Sequence, residues 1–176
     1  DSGSSVLVVV DVQENFRPVI SRWDEMLGCV VKLLRGCSIL GVPVVATEQY
    51  PRGLGSTVPE VAAYLSGESV EKVCFSCFGS EDFKVKLVST GRRQVILCGI
   101  EAHVCVLNTA LDAVGAGYEV HCVVDAVSSR KEVDVREAVE RMKQSGVYVA
   151  TVESALFQML KTAGTPQFKE ISRLLK

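Results

Sequence analysis

The stretch "VLVVVD", residues 6–11, decides the fold, because it joins five consecutive apolar residues to a single acid. Four of the five are valines, whose β-branched side chains favour extended backbone. A strand with one face in water alternates apolar and polar residues, and this run does not alternate. Continuous apolar runs are typical of parallel strands that are covered on both faces. The sequence therefore predicts a fully buried parallel strand that ends at Asp11.

The rest of the chain alternates between strand-like and helix-like segments. Apolar residues at helical spacing predict a helix over 23–41, closed by Gly41. Alternation of this kind predicts βαβ units with right-handed crossovers. We expect one α/β domain over 1–176, a three-layer doubly wound sandwich whose six-stranded parallel sheet has the order 3-2-1-4-5-6 and helices on both faces. The other predicted strands are 42–48, 71–78, 93–100, 118–126 and 147–152, and the other predicted helices are 59–65, 81–91, 102–117, 134–146, 153–162 and 166–175.

The composition argues against several classes of protein. The 176 residues carry a formal net charge of −2, without the basic face that nucleic-acid binding requires. No apolar run approaches the roughly 18 to 20 residues that span a bilayer. Neither a nucleic acid nor a membrane is therefore an expected partner.

The cysteines point to a reducing compartment. Their number, seven, is odd, and Cys98 and Cys122 fall inside predicted buried strands, where free thiols pack as small apolar residues. We expect an intracellular protein, with the cytoplasm favoured. Because the chain begins at Asp1 and not at a methionine, a mitochondrial or other organellar location stays open.

The predicted strand order brings two distant segments together. Ligands of doubly wound sheets bind where the strand order reverses, here between the ends of strands 1 and 4. Asp11 lies at the first end, and Cys105 lies in the first turns of the helix after the second. Helix N-termini favour a thiolate, which predicts a lowered pKa for this thiol, and Asp11 is placed to take its proton. Lys72 is a candidate cation, although its strand would lie at the sheet edge.

Each of these three residues also has a purely structural interpretation. Cys105 fits a core position, as most free cysteines do. Lys72 could be an ordinary lysine at a strand end, with its apolar stem lying along the surface and its charge in water. Asp11 could cap the loop that follows its strand by hydrogen bonding to the loop backbone.

Four motifs in order resemble the isochorismatase-like cysteine hydrolases, and especially the isochorismatase-domain-containing branch. The resemblance implies that Asp11 is the base for the thiol, Lys72 stabilises charge and Cys105 attacks a carbonyl. It also implies a cis peptide at Ile100–Glu101 that aims the N–H groups of Glu101 and Cys105 at an oxyanion. Homo-oligomers, either dimers or tetramers, are a further implication. The motifs are "VVVDVQENF" (8–16), "KVCFSCF" (72–78), "CGIEAHVCV" (98–106) and "DAVSSR" (125–130), with "TEQYPRGLG" (47–55) typical of the branch.

The sequence departs from its relatives in three places. Nicotinamidases have a histidine-containing metal site after strand 2, where this chain reads "TEQYP" without histidine. We therefore expect neither a metal nor another cofactor, and nicotinamide is disfavoured as the substrate. Cys105 favours amide, carbamoyl or similar acyl chemistry over vinyl-ether hydrolysis. Ala102 replaces the usual threonine of the turn and removes a hydroxyl that caps or braces it.

The sequence thus predicts a metal-independent cysteine hydrolase that acts on a small molecule. Phe16, Tyr50, Arg52 and Leu54 are expected to line the pocket, with the arginine suited to an anionic or carbonyl-bearing substrate. Two alternatives remain. One is a non-catalytic interaction module with the same fold, and the other is an organellar protein that processes nucleic acid.

Overall fold

The computed structural model describes all residues from 1 to 176. Its six strands form one parallel sheet of order β3-β2-β1-β4-β5-β6, as the sequence predicts. All six residues of the first strand are buried, which agrees with its unbroken apolar sequence. The strands are β1 (Ser5–Val10), β2 (Val44–Gln49), β3 (Val70–Lys72), β4 (Gln94–Ile100), β5 (Glu119–Ser128) and β6 (Tyr148–Ala150).

Helices cover both faces of the sheet and complete the three-layer doubly wound sandwich. One apolar core lies under α1, α7 and α8, and a second lies under α4, α5 and α6. No helix combines the length and the apolar character that crossing a membrane requires. The helices are α1 (Trp23–Leu40), α2 (Pro51–Leu54), α3 (Pro59–Ala62), α4 (Glu81–Ser89), α5 (Leu107–Gly115), α6 (Glu132–Gln144), α7 (Val152–Leu160) and α8 (Pro166–Leu175).

The predicted helix 59–65 is shorter than expected and ends at Ala62. Two further predicted elements differ from the structure near the carboxyl edge of the sheet. The predicted strand 71–78 is wrong beyond Lys72, because the chain leaves the sheet there and exposes Val73 and Phe75. A short 3₁₀ turn, Cys77–Gly79, follows. The predicted helix 102–117 is divided, since a π-helical turn, Ala102–Val106, precedes α5.

Candidate active site

Strands β1 and β4 approach each other closely at Gly99. Val10 is its partner in the register of the two strands. A Cβ atom on Gly99 would lie 2.2 Å from the carbonyl oxygen of Val10, and the φ of Gly99 is +128°. Only glycine tolerates both the contact and this backbone conformation. The contact fixes Asp11, the next residue after Val10, against the turn that follows β4.

Three strands end at this edge in a left-handed backbone conformation. Asp11 after β1, Tyr50 after β2 and Glu101 after β4 have φ values of +55°, +39° and +52°. Such conformations cost on the order of 1–3 kcal/mol each for residues other than glycine, and they cluster at functional sites. The coincidence of three at one edge therefore points to a site there.

Asp11 and Lys72 form a buried ion pair at this edge. Lys72 Nζ lies 2.7 Å from Asp11 Oδ2, and the two side chains are 0% and 2% exposed, respectively. The Thr47 hydroxyl donates a 2.7 Å hydrogen bond to the other carboxylate oxygen, Asp11 Oδ1. Burial is the largest single effect and lowers the pKa of Lys72, but the Asp11 carboxylate and the neighbouring Cys77 and Cys105 sulfurs together outweigh it, so the pKa is raised. Lys72 is therefore a cation at neutral pH.

The other contacts of the Lys72 ammonium are also within the protein. Its Nζ atom lies 2.8 Å from Gln49 Oε1 and 3.3 Å from the carbonyl oxygens of both Cys74 and Phe75. An ammonium has three hydrogens to donate, and these acceptors together with Asp11 engage all of them. Lys72 thus holds Asp11 and the chain after β3 in place, and it has no free hydrogen for a ligand.

Cys105 lies in the π-helical turn between β4 and α5 and lines a cavity, although the residue is only 5% exposed. Turns of this kind often occur at functional sites. Burial raises the pKa of the thiol, the Asp11 carboxylate raises it further, and the Lys72 ammonium opposes them only in part. The expectation of a lowered thiol pKa is wrong, because burial and the Asp11 carboxylate raise it. The resting sulfur is a protonated thiol.

The turn before Cys105 is built differently from the expectation. The chain contains no cis peptide bond, so the expected cis bond at Ile100–Glu101 is wrong. A left-handed residue, Glu101, makes the turn at about 1–3 kcal/mol, whereas a cis bond without proline costs about 3–4 kcal/mol. The Ile100 side chain is buried in the core beneath the turn.

The Glu101 side chain forms a two-pronged ion pair with an arginine. Arg130 Nε lies 3.1 Å from Glu101 Oε1, and Arg130 Nη2 lies 3.2 Å from Glu101 Oε2. The carboxylate is nearly buried, whereas the Arg130 side chain is 59% exposed. This pair stands at the rim of the cavity that Cys105 lines.

The cavity beside Cys105 has a volume of about 790 Å³, in the range of small-molecule sites. Three of the four residues expected in the pocket line it, namely Phe16, Tyr50 and Leu54. Arg52 does not; it lines a separate, adjoining cavity of about 470 Å³. The other residues around the Cys105 cavity are Gln49, Gly53, Val73, Phe75, Glu101, Val104 and Arg130.

Gln49 and Arg130 are site residues to which the sequence assigned no role. Both belong to the strand-end segments "TEQYPRGLG" and "DAVSSR". Their location in these segments is the only feature of the sequence that could have pointed to a role in the site. The amide of Gln49 also donates from Nε2 to the Val73 carbonyl oxygen at 2.8 Å. No three His, Cys, Asp or Glu side chains gather closely enough to hold a metal ion.

Fold and site together define a doubly wound α/β protein with a cysteine-containing cavity at the point where the strand order reverses. Residues 5–154 match the isochorismatase domain family, and the chain belongs to this family. It is 45% identical over 176 residues to mouse isochorismatase domain-containing protein 2A, covering 98% of this chain and 83% of the mouse protein. To the zebrafish isochorismatase domain-containing protein 2 it is 46% identical over 175 residues, covering 97% and 86% of the respective chains.

Among solved structures, a MAR1 ribonuclease from Caenorhabditis elegans superposes with a TM-score of 0.92. The two sequences are 37% identical, and the match covers 99% of this chain and 91% of the nematode chain.

Proposed function

We propose that this protein is a metal-independent cysteine hydrolase that acts on a small amide, carbamoyl or similar acyl substrate. Asp11, Lys72 and Cys105 form the proposed catalytic triad. The observation that carries the proposal is the buried Asp11–Lys72 ion pair, which acts directly on the Cys105 thiol, together with the cavity of ligand size that this thiol lines. Buried pairs are costly to assemble, and three left-handed strand ends add further strain at the same edge.

The first half of the reaction forms an acyl-enzyme. The Asp11 carboxylate takes the thiol proton as the Cys105 sulfur bonds to the carbonyl carbon, and the carbonyl oxygen becomes an oxyanion. Backbone N–H groups of the turn, those of Glu101 and Cys105, are the proposed donors to this oxyanion. The carbon–nitrogen bond then breaks, and the protonated Asp11 returns its proton to the leaving nitrogen.

The second half of the reaction regenerates the thiol. Asp11 removes a proton from water, the hydroxide equivalent attacks the thioester carbonyl, and the carbon–sulfur bond breaks. The proton held by Asp11 then returns to sulfur. Lys72 stays charged throughout and keeps the Asp11 carboxylate in place. Its raised pKa supports this role, and so does the absence of a free hydrogen on its ammonium.

A panel of small primary amides, carbamoyl compounds and thioesters tests the proposal. The parent is expected to release ammonia, amine or thiol from at least one class, and Cys105→Ala is expected to lower that rate by at least about a thousandfold. Cys29→Ala is the control, because Cys29 is half-buried in a different cavity. Full activity of Cys105→Ala, or no turnover of any class, would contradict the proposal.

A second candidate function follows from the structural relative that is described as a ribonuclease. Here we infer that ribonuclease activity is the weaker candidate, because a net charge of −2 gives little attraction for phosphates. RNA binding that weakens steeply with salt, together with cleavage by repurified protein, would favour it over amide hydrolysis. Binding of a protein partner without turnover of any substrate would instead favour an interaction module.

A further inference from the structure

Most of the wall of the Cys105 cavity is apolar. Phe16, Leu54 and Val104 line it together with two residues of the segment after β3, Val73 and Phe75. The last two are 79% and 61% exposed, respectively, and both line this cavity. Apolar groups exposed at the mouth of a cavity are typical of a binding surface.

The backbone that presents Val73 and Phe75 is held by active-site groups. The Gln49 amide donates to the Val73 carbonyl oxygen at 2.8 Å, and the Lys72 ammonium lies 3.3 Å from the Phe75 carbonyl oxygen. The two exposed side chains are therefore presented from a fixed segment. Fixing a binding surface in advance lowers the entropy lost when a ligand binds.

The cavity offers no unpaired charge. Glu101 and Arg130 are its only acidic and basic lining residues, and they neutralise each other at 3.1 and 3.2 Å. Arg52, which the sequence suggested for an anionic substrate, lies outside this cavity. Asp11 and Lys72 likewise neutralise each other beneath the thiol. A charged substrate would lose hydration here without gaining a free counter-ion.

We infer that this site selects uncharged acyl compounds that carry an aromatic or branched aliphatic group, with Phe75 as a specificity-determining residue. The inference rests on the proposed function, because it names the substrate class of the same Cys105 site. It predicts rejection of small anionic amides and weak use of unsubstituted ones. It also accounts for the exposure of Val73 and Phe75 in the free protein.

Three acrylamides that differ in the substituent on the amide nitrogen test the inference on the intact protein. In each, the Cys105 sulfur bonds to the terminal vinyl carbon and the thiol proton ends on the adjacent carbon. Acrylamide itself, N-benzylacrylamide and N-acryloylglycine differ in apolar area and charge. Residue-resolved mass spectrometry gives the rate of modification at Cys105. We expect N-benzylacrylamide to react at least tenfold faster than N-acryloylglycine and faster than acrylamide.

Two variants separate the apolar wall from the charge balance. Phe75→Ser is expected to reduce the preference for the benzyl compound at least fivefold. Val85→Ser is the matched control and leaves the preference unchanged, because Val85 is an exposed valine on α4 away from the cavity. Glu101→Gln releases the Arg130 charge and is expected to speed the reaction of N-acryloylglycine at least threefold.

The outcomes distinguish this inference from the proposed function. Equal rates for the three probes in the parent would overturn the inference and leave the cysteine hydrolase intact. The inference would also be overturned if Phe75→Ser changed the sedimentation of the protein but left its preference for N-benzylacrylamide unchanged. Phe75 would then contact a second copy of the chain and not the substrate. An inert Cys105 toward all three probes would overturn both.

Discussion

Lys72 Nζ lies 2.7 Å from Asp11 Oδ2, although β2 separates β3, which ends at Lys72, from β1, which ends just before Asp11. Adjacent strands are about 4.8 Å apart, so the lysine side chain reaches across a whole strand to make this contact. Lys72 stands opposite Gln49 in the register of β2 and β3, and the Gln49 amide oxygen accepts from the same ammonium at 2.8 Å. The ion pair thus connects the edge of the sheet to its centre.

Replacing Lys72 by methionine leaves the Asp11 carboxylate buried without its cation. We expect the free energy of unfolding to fall by about 3–5 kcal/mol in urea titrations. Lys84→Met is the control, because Lys84 pairs with Glu81 on the surface and such pairs contribute about 0–1 kcal/mol. Equal losses in the two variants would show that the buried pair has no special role in stability.

Gly99→Ala tests the close approach of β1 and β4. The new Cβ would meet the Val10 carbonyl oxygen at 2.2 Å, so the strands must separate or the turn must shift. We expect a loss of about 3 kcal/mol or more in thermal and urea unfolding, the range of severe backbone strain. Gly28→Ala in α1 meets no atom within 4 Å and is expected to stabilise by about 0.5–1 kcal/mol. A neutral Gly99→Ala variant would refute this account of the edge.

Gln49→Met removes the nearest neutral acceptor of the Lys72 ammonium and the donor to the Val73 carbonyl oxygen, while keeping a side chain of similar length. Hydrogen bonds to charged groups contribute about 1.5–3 kcal/mol, and we expect a loss of stability in that range. The rate of Cys105 modification should also fall, because Lys72 and the segment after β3 lose their fixed positions. Gln144→Met, on the exposed side of α6, should change neither quantity. An unchanged modification rate in Gln49→Met would argue against a positioning role.

The buried thiols predict a loss of stability at alkaline pH. Burial raises the pKa of both Cys37 and Cys122 to about 12. In the unfolded chain these thiols ionise near pH ~8.5, so above that pH the unfolded state binds fewer protons than the native state. The stabilisation that comes from keeping each buried thiol protonated is fully present below about pH 8.5. As the pH rises from there toward the native pKa values, the free energy of unfolding falls by about 1.4 kcal/mol per pH unit for each thiol.

Urea midpoints between pH 7.5 and 10.5 measure this loss. Cys122→Ala should show a shallower decline than the parent, because one titrating group is absent. Val123→Ala is the control, since it truncates a neighbouring buried side chain and keeps every thiol. The same slope in Cys122→Ala and the parent would mean that the buried thiol does not drive the decline.

The sequence predicts the sheet and half of the candidate site. The apolar run before Asp11 and the alternation of elements are local signals, and strand order alone brings Asp11 near the turn that holds Cys105. Lys72 could be assigned only through the family resemblance, because its contact depends on a side chain that crosses a strand. Arg130 and Gln49 are recognisable only once the loops above the sheet are folded.

Two expectations about the turn and the thiol are wrong, namely the cis peptide implied by the family resemblance and the lowered thiol pKa. The peptide at Ile100–Glu101 is not cis, and a left-handed Glu101 makes the turn. The lowered thiol pKa was inferred from the helix start, whereas burial and the Asp11 carboxylate dominate. Both are properties of the assembled site.

The most direct test of the central claim is the rate at which iodoacetamide alkylates Cys105 at pH 7.5, in the parent and in Asp11→Asn. Mass spectrometry resolves this thiol from the other six. If Asp11 is the base, the variant should react at least about tenfold more slowly. If the carboxylate only raises the pKa of the thiol, its removal should lower that pKa and speed alkylation. Faster alkylation in folded Asp11→Asn would contradict the proposed mechanism.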